Sequence, residues 1–360
     1  MSWTALPGWL ASLALQLVLF QVVVERLSLW IDDARHAVRL WTLFFVGVLG
    51  LALVGVLLPH YRFGGPWGDV VGLTAARIAI WQGRIGVVLG LTWGVGALLT
   101  GGWHIRRGRL LFRLLRTFCR ELTPTERSLL QGVDYRFEEG TRLLTSDVVP
   151  GPFCLQFHRP YVVLPSSLLL AHPQSLQHVL EHELEHLRTA HPLQLFFQQA
   201  CQSLFWFHPS IHRAARYAEL ARECHCDEVA AGSSKSLADY LRTLLNLAED
   251  SQFKTCVLSF AHYSRPLAER TRYLLRRQQQ GALTTPRSRF RLRTAYVAAV
   301  ATILASSQLW LPLDVLASQT AGWSPWPHVT ARVMHDFGVS LRDFEVYDGQ
   351  RQYYRAALSE

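Results

Sequence analysis

Two histidines four residues apart, His182 and His186, flank Glu183 in the run VLEHELEHLRTAHP. Residues four apart on a helix share a side, so both imidazoles can meet one metal ion. A metal such as zinc (Zn2+) acidifies water, and a carboxylate beside it can take the released proton. Glu183 stands in the place for that task, which makes HELEH a candidate centre for metal-dependent peptide hydrolysis. Leu176, Val179, Leu180, Leu184 and Leu187 line up on one face, which predicts a helix; Pro192 is expected to end it. A charged surface helix can carry the same five residues by chance, so the remaining ligands decide the matter.

A hydrolytic zinc site takes a third protein ligand and keeps one position open. The next cluster is AELARECHCDEVA, at 218–230. Glu223 and Asp227 are four apart and share a helix face. A ligating carboxylate followed one turn later by a carboxylate that orients a ligating histidine is the expected arrangement. Glu219 competes with Glu223 as the ligand, and His208, His212, His225 and Cys226 are further candidates. A separate soft-metal site at Cys224-His225-Cys226 is disfavoured, because neighbouring side chains on a helix diverge.

The elements that must position these residues are set in an apolar chain. Half of the 360 residues are hydrophobic and mean hydropathy is +0.13. Four stretches approach the roughly 20 residues that cross a bilayer: about 6–24, 40–58, 85–103 and 295–313. Glu25 and Arg26 follow the first stretch, and no basic segment precedes it, which favours a true span over a cleaved signal peptide. Gln16 and Gln21 interrupt it. Gly86, Gly90 and Gly94 share one face of the third stretch, as a close helix contact requires.

The net charge is +9, and almost all of the positive charge is arginine; lysine occurs only at 235 and 254. Six arginines follow the third stretch between 106 and 120, and four precede the fourth between 287 and 293. The positive-inside rule then places the middle of the chain in the cytoplasm, with the N-terminus and the tail outside. The arginines are expected to face membrane lipid, and no direct nucleic-acid contact is expected. Arg109, Arg113, Arg116 and Arg120 beside Leu110, Leu111, Leu114 and Leu115 predict an amphipathic helix at the headgroups. The expected organisation is a membrane domain at 1–105, a metallopeptidase domain at 106–290, a fourth span at 291–313 and a short tail at 314–360. The cysteines are scattered, at 119, 154, 201, 224, 226 and 256, and form no disulfide framework.

HELEH, WFHP at 206–209 and RECHCDE at 222–228 occur in one order and spacing. Together with the leader SDVVPGPFCLQFHRPYVVLP at 146–165, they resemble the BlaR/MecR-type antirepressor membrane metallopeptidases. The resemblance covers about residues 105–275 and the four-span layout. It implies a mainly α-helical membrane protein, with four transmembrane helices and a cytoplasmic α+β, zincin-like metalloprotease domain inserted between helices three and four. It also implies that His182, His186 and Glu223 bind zinc in the gluzincin manner, that Glu183 is the general base and that Asp227 supports a ligand. His208 stands where the family often has Asn, and Cys224-His225 where it usually has small or apolar residues.

By the same resemblance the substrate is a protein, with a transcriptional repressor as the expected class and a bacterial cytoplasmic membrane as the location. A second copy of the chain is retained as a candidate partner. A housekeeping membrane protease and a non-catalytic zinc-stabilised receptor are the alternatives. The leader holds three short β-prone runs (143–145, 154–157 and 161–164), and an edge of such a sheet can hold a peptide. The stretch 193–207 is apolar but carries four glutamines, so it either dips into the membrane or forms a buried helix. About 47 residues follow the fourth stretch, too few for a β-lactam sensor. They are expected to hold a small unit around 329–354. The SxxK run at 251–254 is read as chance.

Overall fold

The computed structural model describes residues 3–31, 33–61, 73–130, 140–156, 159–234, 236–253, 267–280, 289–311, 313–315, 323–324 and 326–339. Three helices open the fold: α1 (Leu6–Ile31), α2 (Ala34–Leu57) and α3 (Leu73–Phe118). All three are long and apolar enough to cross a membrane. They overlie the first three expected spans, with α2 ending one residue short of the second. Asp33 sets the start of α2 by accepting the Arg35 backbone N–H at 3.0 Å.

The expected headgroup helix is not a separate element. It is the end of α3, which runs unbroken for 46 residues because no proline interrupts it. Leu114 and Leu115 are buried against the sheet rather than facing lipid, and Arg120 lies in a strand. The glycine face of α3 is used at two positions of three. A Cβ on Gly86 would meet the Trp3 backbone, and one on Gly90 would meet the Trp3 ring and Leu6, whereas Gly94 faces open space.

The sheet follows. Strands β1 (Arg120–Glu121), β2 (Arg142–Ser146), β3 (Phe153–Gln156) and β4 (Pro160–Pro165) lie in the order β1-β2-β4-β3, with β2 and β4 parallel and the other pairs antiparallel. Between β1 and β2 lies α4 (Pro124–Leu129), which starts with a capping box from Thr123 and Glu126. Strand β4 shows why a sheet forms here. Val162 and Leu164 join one cluster, while Tyr161 and Val163 join another, so alternate side chains serve two faces. One face packs on the end of α3. The other receives the apolar side of α6 (Pro173–Arg188), which follows the short α5 (Ser166–Leu169).

Helix α6 bears HELEH, and its buried leucines and Val179 are those the periodicity predicts. Pro192 does not end it. The helix stops at Arg188, Ala190 adopts a left-handed conformation (φ 52°), and Pro192 sits in the first turn of α7 (His191–Leu204). Proline is well tolerated there, because first-turn N–H groups have no partner within the helix.

Helix α8 (Pro209–Ser233) then returns beside α1 and α2. The turn between α7 and α8 lies against the apolar part of α3. Trp93 donates its indole N–H to the Leu204 carbonyl at 2.6 Å, and Trp206 donates to the Trp93 carbonyl at 3.3 Å. His208 is buried close to the Ala14 backbone of α1. Of the two expectations for 193–207, the structure gives a helix that descends beside the membrane-capable helices. Ile211, Ala214, Ala215 and Ala218 of α8 share one buried cluster with residues of α1 and α2.

Gly96 is the tight point of this packing, because a Cβ there would overlap the Trp206 indole. Gly96→Leu is expected to lower stability by about 1–3 kcal/mol, the usual cost of overpacking. Gly94→Leu, with nothing within 4 Å of its Cβ position, serves as control. Thermal unfolding of the two variants in detergent checks this; equal melting temperatures would refute the contact.

Four helices complete the fold: α9 (Leu237–Phe253), α10 (Leu267–Gln279), α11 (Arg289–Ser306) and α12 (His328–Asp336). Helix α11 buries Ala295 and Ala299 in the cluster of α1 and α2. It covers only the first part of the expected stretch 295–313. The chain leaves the helix at Ser306, and polar side chains of the bundle take up the freed backbone groups. Ser12 Oγ accepts the Leu311 N–H at 2.9 Å, Gln16 donates to the Leu309 carbonyl at 2.9 Å, and Gln82 donates to the Leu313 carbonyl at 2.5 Å. Gln16 therefore interrupts the first apolar stretch for a structural reason. Of the tail, α12 falls in the expected small unit; residues 340–360 lie outside the described residues, as does Lys254 of the SxxK run.

Candidate metal centre

Helices α6 and α8 cross so that His182 and His186 of one meet Glu223 of the other. The Nε2 atoms of the two histidines are 3.2 Å apart. Glu223 Oε2 lies 3.6 Å from His182 Nε2, and Glu223 Oε1 lies 3.5 Å from His186 Nε2. Ligands at the Zn–N and Zn–O lengths of a tetrahedral ion stand roughly 3.3–3.5 Å apart. The two nitrogens and the Glu223 carboxylate, one oxygen near each, thus lie close enough to share one ion, and two imidazoles with one carboxylate are a donor set that zinc accepts.

The second nitrogen of each histidine has its own partner. His182 Nδ1 is 3.1 Å from Asp227 Oδ1. Asp227 is fully buried; it also accepts the Tyr240 hydroxyl at 2.7 Å and the Nε–H of Arg270 at 2.6 Å. Arg270 reaches on to Glu223 Oε2 at 2.9 Å. One guanidinium therefore holds the carboxylate ligand and the orienting carboxylate together, a fork that its planar geometry suits. His186 Nδ1 lies 2.8 Å from His191 Nδ1, and Cys226 Sγ lies 3.7 Å from the same His191 atom.

Glu183 is buried beside this group, next to the Cys154 thiol of the outer strand β3. Burial raises its carboxyl to about 7, with the neighbouring His182 opposing the rise and Glu223 adding to it. Burial disfavours a charged His182, yet Asp227 and Glu223 outweigh that effect and hold it up at about 10. Burial lowers His186 to about 3, so it is neutral and ready to bind. A metal must displace the His182 proton, so metal affinity weakens as pH falls. Glu183 and His182 border a small cavity, also lined by Pro152, His178, Tyr240 and Arg270.

The rivals named from sequence separate cleanly. Glu219 is exposed, and it does not join the group formed by His182, His186 and Glu223. His208 packs against α1. His212 bonds to the Trp206 carbonyl at 2.7 Å, and His225 pairs with Glu185 at 3.1 Å. Cys226 belongs to a second cluster with His186 and His191. Tyr240, Arg270 and His191 were not foreseen. Tyr240 and Arg270 come from α9 and α10, and no spacing links them to HELEH. The arginine excess was assigned to lipid, but Arg222, Arg270 and Arg277 are buried. Their pairing with Gln198, Asp227 and Glu228 accounts for them instead.

The description "BlaR1 peptidase M56" matches residues 74–274 of the chain, a stretch that contains every residue of this centre. This chain belongs to that peptidase family. It is also 27% identical over 94 residues to "Regulatory protein BlaR1" of Bacillus licheniformis. That alignment covers 26% of this chain and 16% of the relative. The chain is thus a member of a metallopeptidase family with three helices long and apolar enough to cross a membrane.

Proposed function

We propose that this protein is a multi-pass zinc endopeptidase that cleaves a protein close to the membrane as part of a regulatory signal. The observation that carries this reading is the convergence of His182, His186 and Glu223 beside the buried Glu183. These three residues would hold the ion. When bound, zinc supplies a Lewis acid that acidifies water and polarises a peptide carbonyl. Glu183 takes the proton of the attacking water and delivers it to the leaving nitrogen. Asp227, steadied by Tyr240 and Arg270, keeps His182 turned toward the ion. The outer strand β3 lies against Glu183 and offers a backbone edge to an extended peptide.

The depth of the site supports a substrate near the bilayer. Helix α8 runs alongside α1 in the same direction: His208 meets Ala14, Arg213 and Tyr217 meet Glu25 at 2.6 and 3.0 Å, and Glu228 connects through Tyr273 to Ala34. At 1.5 Å per residue, Glu223 lies about 22 Å along α8 from His208, level with the end of α1. In this reading α11 with the chain to 313 is the fourth crossing. Residues 106–290 face the cytoplasm of a bacterium, and the N-terminus and the tail lie outside. The relative's name speaks of regulation, and the resemblance to the antirepressor metallopeptidases favours a transcriptional repressor as substrate.

Metal analysis of the purified protein tests the proposal. One zinc per chain is expected, lost in His186→Ala and Glu223→Ala. Excess chelator should stop cleavage of a membrane-tethered reporter and added zinc should restore it. Cleavage that continues in the chelated protein would refute the metal mechanism.

A further inference from the structure

We propose that His191 is a positioning residue that fixes the tautomer and orientation of His186 by accepting its Nδ1 proton. This rests on the reading above, that His186 binds the metal through Nε2. The geometry leaves little choice of proton placement. His186 Nε2 faces His182 Nε2 and Glu223, so Nε2 must be bare for the ion. Neutral imidazole then carries its hydrogen on Nδ1. That atom is 2.8 Å from His191 Nδ1. Two nitrogens this close share one proton, so His191 Nδ1 is the acceptor.

A neutral imidazole nitrogen that accepts carries no hydrogen, and Cys226 Sγ lies 3.7 Å from the same atom. The hydrogen of His191 therefore sits on Nε2. That atom is buried and meets no hydrogen-bond partner among the described residues. An imidazole left with an unmet buried N–H is costly. The left-handed Ala190 that delivers it adds backbone strain. Packing alone would be served as well by an apolar residue without the first cost. The two histidine ligands are thus held by different means: His182 by an anionic carboxylate, His186 by a neutral imidazole that presents one lone pair.

The test measures zinc affinity by competition with a calibrated chelator, together with the visible spectrum of the cobalt-loaded protein. Losing a partner of this kind typically weakens metal binding by about 10–100-fold. His191→Ala should show that loss and an altered cobalt spectrum, with the melting temperature of the chelated protein unchanged. His191→Asp, which again offers an acceptor, should recover most of the affinity. Wild-type affinity and spectrum in His191→Ala would overturn this inference alone, as would a loss that His191→Asp does not recover. A wild-type chain that binds two metal ions, falling to one in Cys226→Ser, would also overturn it, because His191 would then be a ligand. A wild-type chain that binds no zinc would overturn this inference and the peptidase reading together.

Discussion

Glu183→Gln is expected to keep its zinc and to lose about 10²–10⁴-fold in cleavage rate, the usual contribution of a general base. Glutamine preserves the size of the side chain and its contact with Cys154, but cannot accept a proton. The proposed ligands are His182, His186 and Glu223, so metal content should not change. The pH profile adds a second signature. Burial holds Glu183 at about 7 in the metal-free site, and a divalent cation beside it favours the carboxylate and lowers that value. The carboxylate is the active form. The wild-type rate should therefore fall with acid along a limb whose midpoint lies below about 7, and the residual rate of the glutamine variant should lack that limb. Equal rates for both proteins on a membrane-tethered reporter would remove Glu183 from the reaction.

The catalytic helix was legible in the sequence because local rules decide it. His182, Glu183 and His186 follow from spacing, and Leu176, Val179, Leu180, Leu184 and Leu187 reveal the buried face. The pairing of Glu223 with Asp227 was also local. Its choice over Glu219 follows from the resemblance; in the structure Glu223 turns inward toward the two histidines and Glu219 outward. What the sequence hid was non-local. Arg270 and Tyr240 arrive from helices more than forty residues downstream of α6, and nothing in their own neighbourhoods marks them. The end of α6 was misplaced because proline stops a helix only from its interior, and Pro192 stands in a first turn. The fourth apolar stretch looked continuous by hydropathy. Its helix ends at Ser306 because Ser12, Gln16 and Gln82 of other helices supply partners for the backbone beyond it.

Arg270→Met should destabilise the chelated protein by about 3–5 kcal/mol, the cost of stripping a buried charge of its partner. Asp227 is fully buried, and Arg270 gives it its only full positive charge among the described contacts when His182 is neutral. Glu223 loses the same guanidinium. Zinc changes the balance, because a divalent ion against Glu223 replaces much of the missing charge. The loss of stability should therefore be smaller in the zinc-loaded protein than in the chelated one. Linkage then requires that the folded variant bind zinc more tightly than wild type does, since a ligand stabilises by its affinity for the native state. The opposite sign follows if Arg270 serves chiefly to pre-set Glu223 for the ion: zinc binding would weaken, and the zinc-loaded protein would lose at least as much stability as the chelated one. Melting temperatures of wild type and Arg270→Met in detergent, each chelated and zinc-loaded, separate these cases. Arg270→Lys keeps the charge but not the fork, and should fall between them. The electrostatic outcome is the one expected here, because Arg270 touches two carboxylates at once and Asp227 has no access to water that could stand in for it.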